Sequence, residues 1–373
     1  MLLTGFNIAH YLIDRGFLGY ETLVKDDFSV NMASSRNTGY IVKSEGNTSY
    51  FVKQVQMFEG EKIETLRVEA NVYWLANNEP EYVELKKFLP QFFNYDPINH
   101  ILMVEYMAGN IDLQQFYHSN KALPPTIAKQ TAEILASYHR DIFKNAQEGK
   151  SMRLFRKTIP SPFLTFGKQL AFMKPRNKVE EEMQNLIFKH ENFTDLVDQV
   201  KNDWEAKSLI HGDIKPNNFL INTDCLDTQN FQLRLIDWEI ADMGDPLWDV
   251  AAVFQSYLLM WLYAEPMESM TAEQIQAAAE RGFPLEKMQP SIRLFWKTYC
   301  QLMDFDEDKS EYLLIKTTRF CAIKLLHTSY ESSVYAQNLD PQTIRMLQLS
   351  LNMLKSPEEA IDSLFDININ VHV

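Results

Sequence analysis

Three oxygen-bearing side chains stand out by type and spacing. In the run Leu209-Ile210-His211-Gly212-Asp213-Ile214-Lys215-Pro216-Asn217-Asn218-Phe219-Leu220-Ile221, Asp213 and Asn218 lie five residues apart on one short loop. A strand-like run, Gln232 to Ile236, then ends in Asp237-Trp238-Glu239, and Gly244-Asp245-Pro246-Leu247-Trp248-Asp249 follows. A carboxylate on such a loop can orient a hydroxyl and take its proton. A side-chain amide oxygen and a second carboxylate are hard ligands suited to magnesium. These are the parts phosphoryl transfer asks of a protein, because metal ions must offset the charge that builds on the phosphates. A lone Asp-x₄-Asn says nothing; an ordered block with a strand before each motif does.

This block resembles the aminoglycoside phosphotransferase and choline kinase-like family. Its members typically carry His-Gly-Asp where protein kinases carry His-Arg-Asp, and an Asp-Trp-Glu-like triplet in place of Asp-Phe-Gly. The resemblance spans roughly residues 8–255. It implies an α+β, protein-kinase-like two-lobed fold with a small antiparallel-sheet N-terminal lobe, residues 1–106, and a helical C-terminal lobe, residues 107–373. It implies ATP (or GTP) and Mg2+ as cofactors, Asp213 as the catalytic base, and Asn218 and Asp237 as magnesium ligands. His211 is expected to brace the loop as a buried histidine, and Asp249 to support it.

A kinase needs further parts upstream. Tyr50-Phe51-Val52-Lys53 offers Lys53 to the α- and β-phosphates. Lys43 competes, but it precedes the turn and belongs to the previous strand. Glu69, between Leu66 and Tyr73 on the inward face of the next helix, is placed to pair with Lys53. Glu61 and Glu64 are near the helix start, where acidic residues suit the macrodipole. Ile101 to Gly109 reads as a connecting strand whose Glu105 carbonyl and Met107 amide would bind a nucleobase edge. The sequence has no Gly-x-Gly-x-x-Gly loop. The first hairpin carries Ser34-Ser35-Arg36-Asn37-Thr38, so Ser35 is the candidate to cap phosphates. Arg36 either adds charge there or faces solvent.

The elements that must position these residues are legible. Ile8, Leu12 and Ile13 recur at helical intervals and Gly16 can stop that helix. Phe28–Val30, Gly39–Val42 and Ser49–Val55 read as an antiparallel meander. A helix over Glu61–Ala76 follows, with Ile63, Leu66, Ala70 and Tyr73 on its apolar face. Gln91–Tyr95 and Ile101–Tyr106 read as two more strands, joined by Asp96-Pro97-Ile98-Asn99. Beyond Gly109 helices dominate. Pro124-Pro125 opens one of them. Asp340 and Pro341 cap another, which carries the stripe Ile344, Leu347, Leu351 and Leu354. Val250–Ala264, interrupted by Gln255 and Ser256, is shorter than the ~20 residues of a membrane span and reads as a core helix. The run Glu180-Glu181-Glu182 reads as a solvated face.

The 373 residues leave room for a large core, and 46% hydrophobic with 23% charged residues is a globular composition. A net charge of −14 argues against nucleic acid, which needs a basic face, and permits a cationic partner. Cys225, Cys300 and Cys321 form no CxxC pair, and reduced thiols in a cytoplasmic protein are the expectation. Met1 to His10 lack a basic segment followed by an apolar core, so a signal peptide is not expected there. The partner expected is a small-molecule hydroxyl compound, amine-bearing among other classes, with no nucleic acid and no membrane; oligomeric state is not fixed. Two alternatives stay open: a kinase acting on Ser/Thr of a peptide, against which the missing Ala-Pro-Glu segment counts, and a non-catalytic nucleotide-binding pseudokinase.

Overall fold

The computed structural model describes residues 1–24, 28–33, 38–44, 48–145, 151–172, 174–222, 231–266, 271–334 and 336–369. The chain divides into two compact units. The first comprises Met1–Asp112, Arg153–Phe155 and Asn218–Ala241; the second comprises Leu113–Met152, Arg156–Asn217 and Asp242–Val373.

The first unit is built on β1 (Ser29–Ala33), β2 (Thr38–Lys43), β3 (Tyr50–Gln54), β4 (Phe92–Asp96) and β5 (Ile101–Glu105), in the order β1-β2-β3-β5-β4 with every pair antiparallel. The pleat decides which way each residue of β3 points. Tyr50, Val52 and Gln54 are buried on one face, against Tyr40, Val42, Ile101, Met103 and the N-terminal helix residues Ile8, Tyr11 and Leu12. Phe51 and Lys53 therefore point to the other face. The helix Gly60–Asn78 buries Leu66, Glu69, Ala70 and Tyr73, and Tyr73 stacks on Phe92 of β4 with ring centroids 5.9 Å apart. The helix Ile8–Asp14 stops where expected. Gly16 takes φ +75°, its N–H donates to the Ile13 carbonyl, and the Phe17 N–H donates to Leu12. That pair of bonds is the Schellman arrangement, which needs a left-handed residue.

Five short strands follow: β6 (Asn110–Asp112), β7 (Ser208–Ile210), β8 (Phe219–Asn222), β9 (Arg234–Leu235) and β10 (Asp242–Gly244). β6, β8 and β9 form a small sheet in the first unit, in the order β6-β8-β9. Only Arg234 and Leu235 of the run Gln232–Ile236 pair as strand. β7 and β10 pair antiparallel in the second unit.

The rest of the second unit is helical. Its core is assembled from Pro125–Asn145, Leu247–Ala264, Leu285–Leu302, Glu307–Ser333 and Pro341–Lys355. Asp340 caps the last of these, accepting the Gln342 and Thr343 N–H groups at 2.8 and 3.0 Å. The apolar stripe of that helix is shifted from the expected one. Leu347, Leu351 and Leu354 are buried, but Ile344 is 44% exposed and Thr343, Met346 and Ser350 take the inner face. The acidic run also departs from a solvated face. Glu180 is buried and accepts from the Arg176 backbone N–H and from Tyr330 Oη, both at 2.5 Å, so two donors offset its desolvation. Among the described residues no helix is long and apolar enough to cross a membrane.

Candidate active site

Lys53 is where the first unit concentrates charge. Its Nζ lies 2.9 and 2.8 Å from the two carboxylate oxygens of Glu69 and 3.3 Å from Oδ1 of Asp237. The first partner is 16 residues away in the chain and the second 184. Burial works against the ammonium charge, but Glu69 and Asp237 outweigh it and hold the Lys53 pKa above its ordinary value. Burial likewise pushes the Glu69 carboxyl up, against the pull of Lys53. Lys43 takes no part in this; its ammonium lies over the Tyr106 ring, 5.1 Å from the centroid.

Asp237 is presented by a turn with its own anchor. Trp238 is fully buried and donates its indole N–H to the Leu235 carbonyl at 3.3 Å. Asp237 itself takes φ +68°, a region that a short polar side chain tolerates better than most. The Ile236 N–H donates to the Asn218 carbonyl at 2.9 Å, which ties the turn that presents Asp237 to Asn218. Asn218 is buried, whereas the Asp237 side chain is 37% exposed with Lys53 as its partner. An amide oxygen and a partly open carboxylate are a hard, singly charged donor pair, which suits a magnesium ion that takes its remaining ligands from phosphates and water.

Glu105 and Met107 line a polar cleft of about 700 Å³ in the same unit, with Ser49, Gln91, Asn110 and Asn222. The Gln91 N–H turns to Oε2 of Glu105 at 3.1 Å and leaves the Glu105 carbonyl aside. Among the described residues no acceptor takes the Met107 N–H, while its carbonyl accepts from Asn110. A carbonyl and an N–H two residues apart on one edge can pair with the edge of a nucleobase. Ser35 and Arg36 lie outside the described residues, as does Cys225.

In the second unit the His211-Gly212-Asp213 loop hangs on one carboxylate. Asp249 is fully buried, and its Oδ2 accepts the His211 N–H at 2.6 Å and the Tyr138 O–H at 2.8 Å. Its Oδ1 accepts the Gly212 N–H at 3.0 Å. Burial alone would raise its pKa, but His139, His211 and the backbone donor together bring it below the usual carboxylate range. Gly212 has φ +84°, a conformation that bends the loop and favours glycine. The buried His211 turns its Nδ1 to accept the Asp213 N–H at 3.2 Å. The Asp213 side chain itself is 38% exposed. One carboxylate thus fixes two successive amides, and the side chain of the first of those residues fixes the third.

Sequence reasoning missed several neighbours. Lys215 sits two residues past Asp213 and pairs with its Oδ2 at 2.6 Å; its place in the loop was visible, its pairing was not. Tyr138 and His139 come from the helix Pro125–Asn145, and Tyr299 holds Nδ1 of His139 at 2.9 Å. Their spacing from the loop carries no sequence signal.

The amino-acid sequence matches the Phosphotransferase enzyme family over residues 33–290, more than half of the chain. The chain belongs to that family. Choline kinase from Cryptosporidium parvum Iowa II superposes with a TM-score of 0.57 at 15% identity, covering 96% of each chain. A Ralstonia eutropha JMP134 protein assigned as an aminoglycoside phosphotransferase superposes at 0.50 with 11% identity, covering 95% of this chain and 98% of that one. Choline kinase LicA of Streptococcus pneumoniae gives 0.47 at 18% identity, covering 94% and 99%. No curated protein matches the sequence. The family match and the likeness to the first of these structures agree on the protein-kinase-like α+β fold.

Proposed function

We propose that the protein is a kinase that transfers the γ-phosphate of ATP (or GTP) to a hydroxyl of a small molecule. The observation that carries the reading is Lys53 held between Glu69 and Asp237, from three separate stretches of chain. A buried lysine kept charged by two carboxylates suits contact with nucleotide phosphates. Asn218 and Asp237 would hold Mg2+, which neutralises charge on the phosphates when bound. The Glu105 carbonyl and Met107 N–H would take the base. Asp213 would accept the proton of the acceptor hydroxyl as that oxygen bonds to the γ-phosphorus. The bond from the γ-phosphorus to the bridging oxygen breaks at the same time, and the nucleoside diphosphate leaves with its electron pair. His211 and Asp249 would keep Asp213 in place. A working site in the cytoplasm, without membrane or nucleic acid, fits this assignment.

The test begins with melting temperature in magnesium plus ATP, then GTP, since a ligand of the folded state raises it by mass action. Transfer is then scored over a panel of hydroxyl compounds. Asp213→Ala should abolish transfer and leave nucleotide stabilisation intact, while Asp237→Ala should weaken that stabilisation itself. Turnover by Asp213→Ala would remove the base from this role. Nucleotide binding without turnover on small molecules would shift the reading to a peptide acceptor or a pseudokinase.

A further inference from the structure

A second lysine, in the helical unit, is buried with no counter-ion among the described residues. Lys324, on the helix Glu307–Ser333, is 8% exposed, and its Nζ sits 3.9 Å above the centre of the Trp248 ring. Among the described residues it makes no hydrogen bond, and no carboxylate is close enough to pair with it. Eight residues earlier on the same face, Lys316 shows the contrast, paired with Asp245 at 2.7 Å. Trp248 is next to Asp249, whose carboxylate carries the amides of His211 and Gly212 just before Asp213. Lys324 feels the charges of both Asp249 and Asp213. Both oxygens of Asp249 are already engaged by three donors, so it is no close partner for the ammonium.

The aromatic surroundings sharpen the point. Phe163, Trp204, Trp248 and Phe320 pack edge-on or tilted with centroids 5.5 to 5.9 Å apart. An aromatic cluster of this kind can receive a ligand cation. Here the protein's own ammonium groups are the cations, Lys324 over Trp248 and Lys316 over Phe320 at 5.5 Å. A second cation brought to Trp248 would meet like charge in a poorly solvated place, where repulsion is strong. An anion brought there would find an ammonium already desolvated and in want of a partner.

Resting on the kinase reading, we propose that the phosphate acceptor carries an anionic group, a carboxylate or a phosphate ester, and that Lys324 receives it. Lys324 is then a specificity-determining residue, and the acceptor is not the amine that the net charge of the chain permits.

The experiment pairs hydroxyl compounds that differ in charge: ethanolamine and glycolate, 3-aminopropanol and 3-hydroxypropionate, glucosamine and gluconate, with glycerol 3-phosphate as the phosphate arm. Turnover is expected among the anions. Lys324→Met should raise KM for the anionic acceptor about 10- to 100-fold, the worth of one hydrogen bond to a charged group, with a much smaller change in kcat and in KM for ATP. Lys324→Arg should retain most of the binding. If Lys324→Met does not fold, the wild type still decides: propionate should compete with the acceptor and not with ATP, and propylamine should do neither. Turnover of amines alone, or turnover of anions that Lys324→Met leaves unchanged, overturns the proposal while the kinase assignment stands. Absence of any nucleotide stabilisation in the wild type defeats the kinase assignment and this proposal with it.

Discussion

Changing Asp249 to Asn tests whether one buried carboxylate holds the His211-Gly212-Asp213 loop. The side chain keeps its shape, but one acceptor oxygen becomes an N–H₂ donor. In the wild type Oδ2 serves His211 and Tyr138, and Oδ1 serves Gly212. The better orientation of the amide leaves its oxygen at the Oδ2 position, and then the Gly212 N–H faces another donor. One charge-assisted bond is lost, about 1.5–3 kcal/mol, and two others weaken by about 1 kcal/mol each on losing the charge. Relief of the buried charge offsets part of this, so a net loss of about 2–4 kcal/mol is expected. That amounts to roughly 5–15 °C on the melting transition of the helical unit, read by calorimetry. Transfer should fall at least ~100-fold because the Asp213 backbone loses its register, as misplacement of a reacting group costs on that scale. The pH dependence has a definite sign. The folded Asp249 pKa lies below its unfolded value of 3.8, so its contribution is present above pH 3.8 and lost as pH falls through the folded value. The penalty of Asp249→Asn should therefore be constant from pH 5 to 8 and shrink in stronger acid. A variant that melts within a degree of wild type and turns over normally would refute the bracing role.

Other perturbations separate the remaining parts. Glu69→Gln removes the nearer counter-charge of Lys53, leaving Asp237 at 3.3 Å; a stability loss of about 3 kcal/mol and a raised KM for ATP are expected, and unchanged values of both would contradict the pairing. Burial lowers the Lys324 amine from 10.5 to about 8, against the pull of Asp249 and Asp213 and of Cys321 and Glu331 on its own helix, with nearby His327 adding repulsion. Between those pH values the unfolded chain binds more protons than the folded one, so wild type should gain up to about 3 kcal/mol over Lys324→Met as pH rises from 8 to 10.5; parallel stability curves would contradict that burial. Gly16→Ala meets open space but a φ of +75°, so it should cost about 1 kcal/mol through the backbone alone, seen as a small fall in melting temperature without change in turnover.

The first unit was open to sequence reading because its signals are local. Alternation along Tyr50–Gln54 sets Lys53 opposite the buried Tyr50 and Val52, and helical spacing sets Glu69 between Leu66 and Tyr73 on the inward side. Two short-range periodicities thus bring a lysine and a glutamate to one place, and the observed separation of 2.8 Å follows from their intersection. The elements matched to within a few residues for the same reason. The errors fall where a local pattern is ambiguous. Ile344 fits a helical stripe that the packing shifts by one position, and Glu180 looks solvated until Arg176 and Tyr330 close over it. Ser35 lies outside the described residues.

The acceptor side of the chemistry is less open to such reading, and Lys324 shows why. In the run Phe320-Cys321-Ala322-Ile323-Lys324-Leu325-Leu326 a lysine amid apolar residues reads as one that snorkels to water. Whether it does depends on what packs over its helix, and that comes from Trp248, 76 positions earlier. Lys316 and Lys324 share a face and a burial, and the sequence gives no way to tell them apart. Asp245 pairs with the first. Asp249, four residues further on and in the first turn of the helix Leu247–Ala264, spends both oxygens on the His211-Gly212-Asp213 loop and Tyr138 and is not free to pair with the second. The same carboxylate that fixes Asp213 thus leaves a desolvated ammonium beside it. Such a charge is costly to keep, and binding an anion would remove the cost without loss of the proton. Bracing of the base and selection of the acceptor would then be two results of how the start of the Leu247–Ala264 helix distributes its two aspartates.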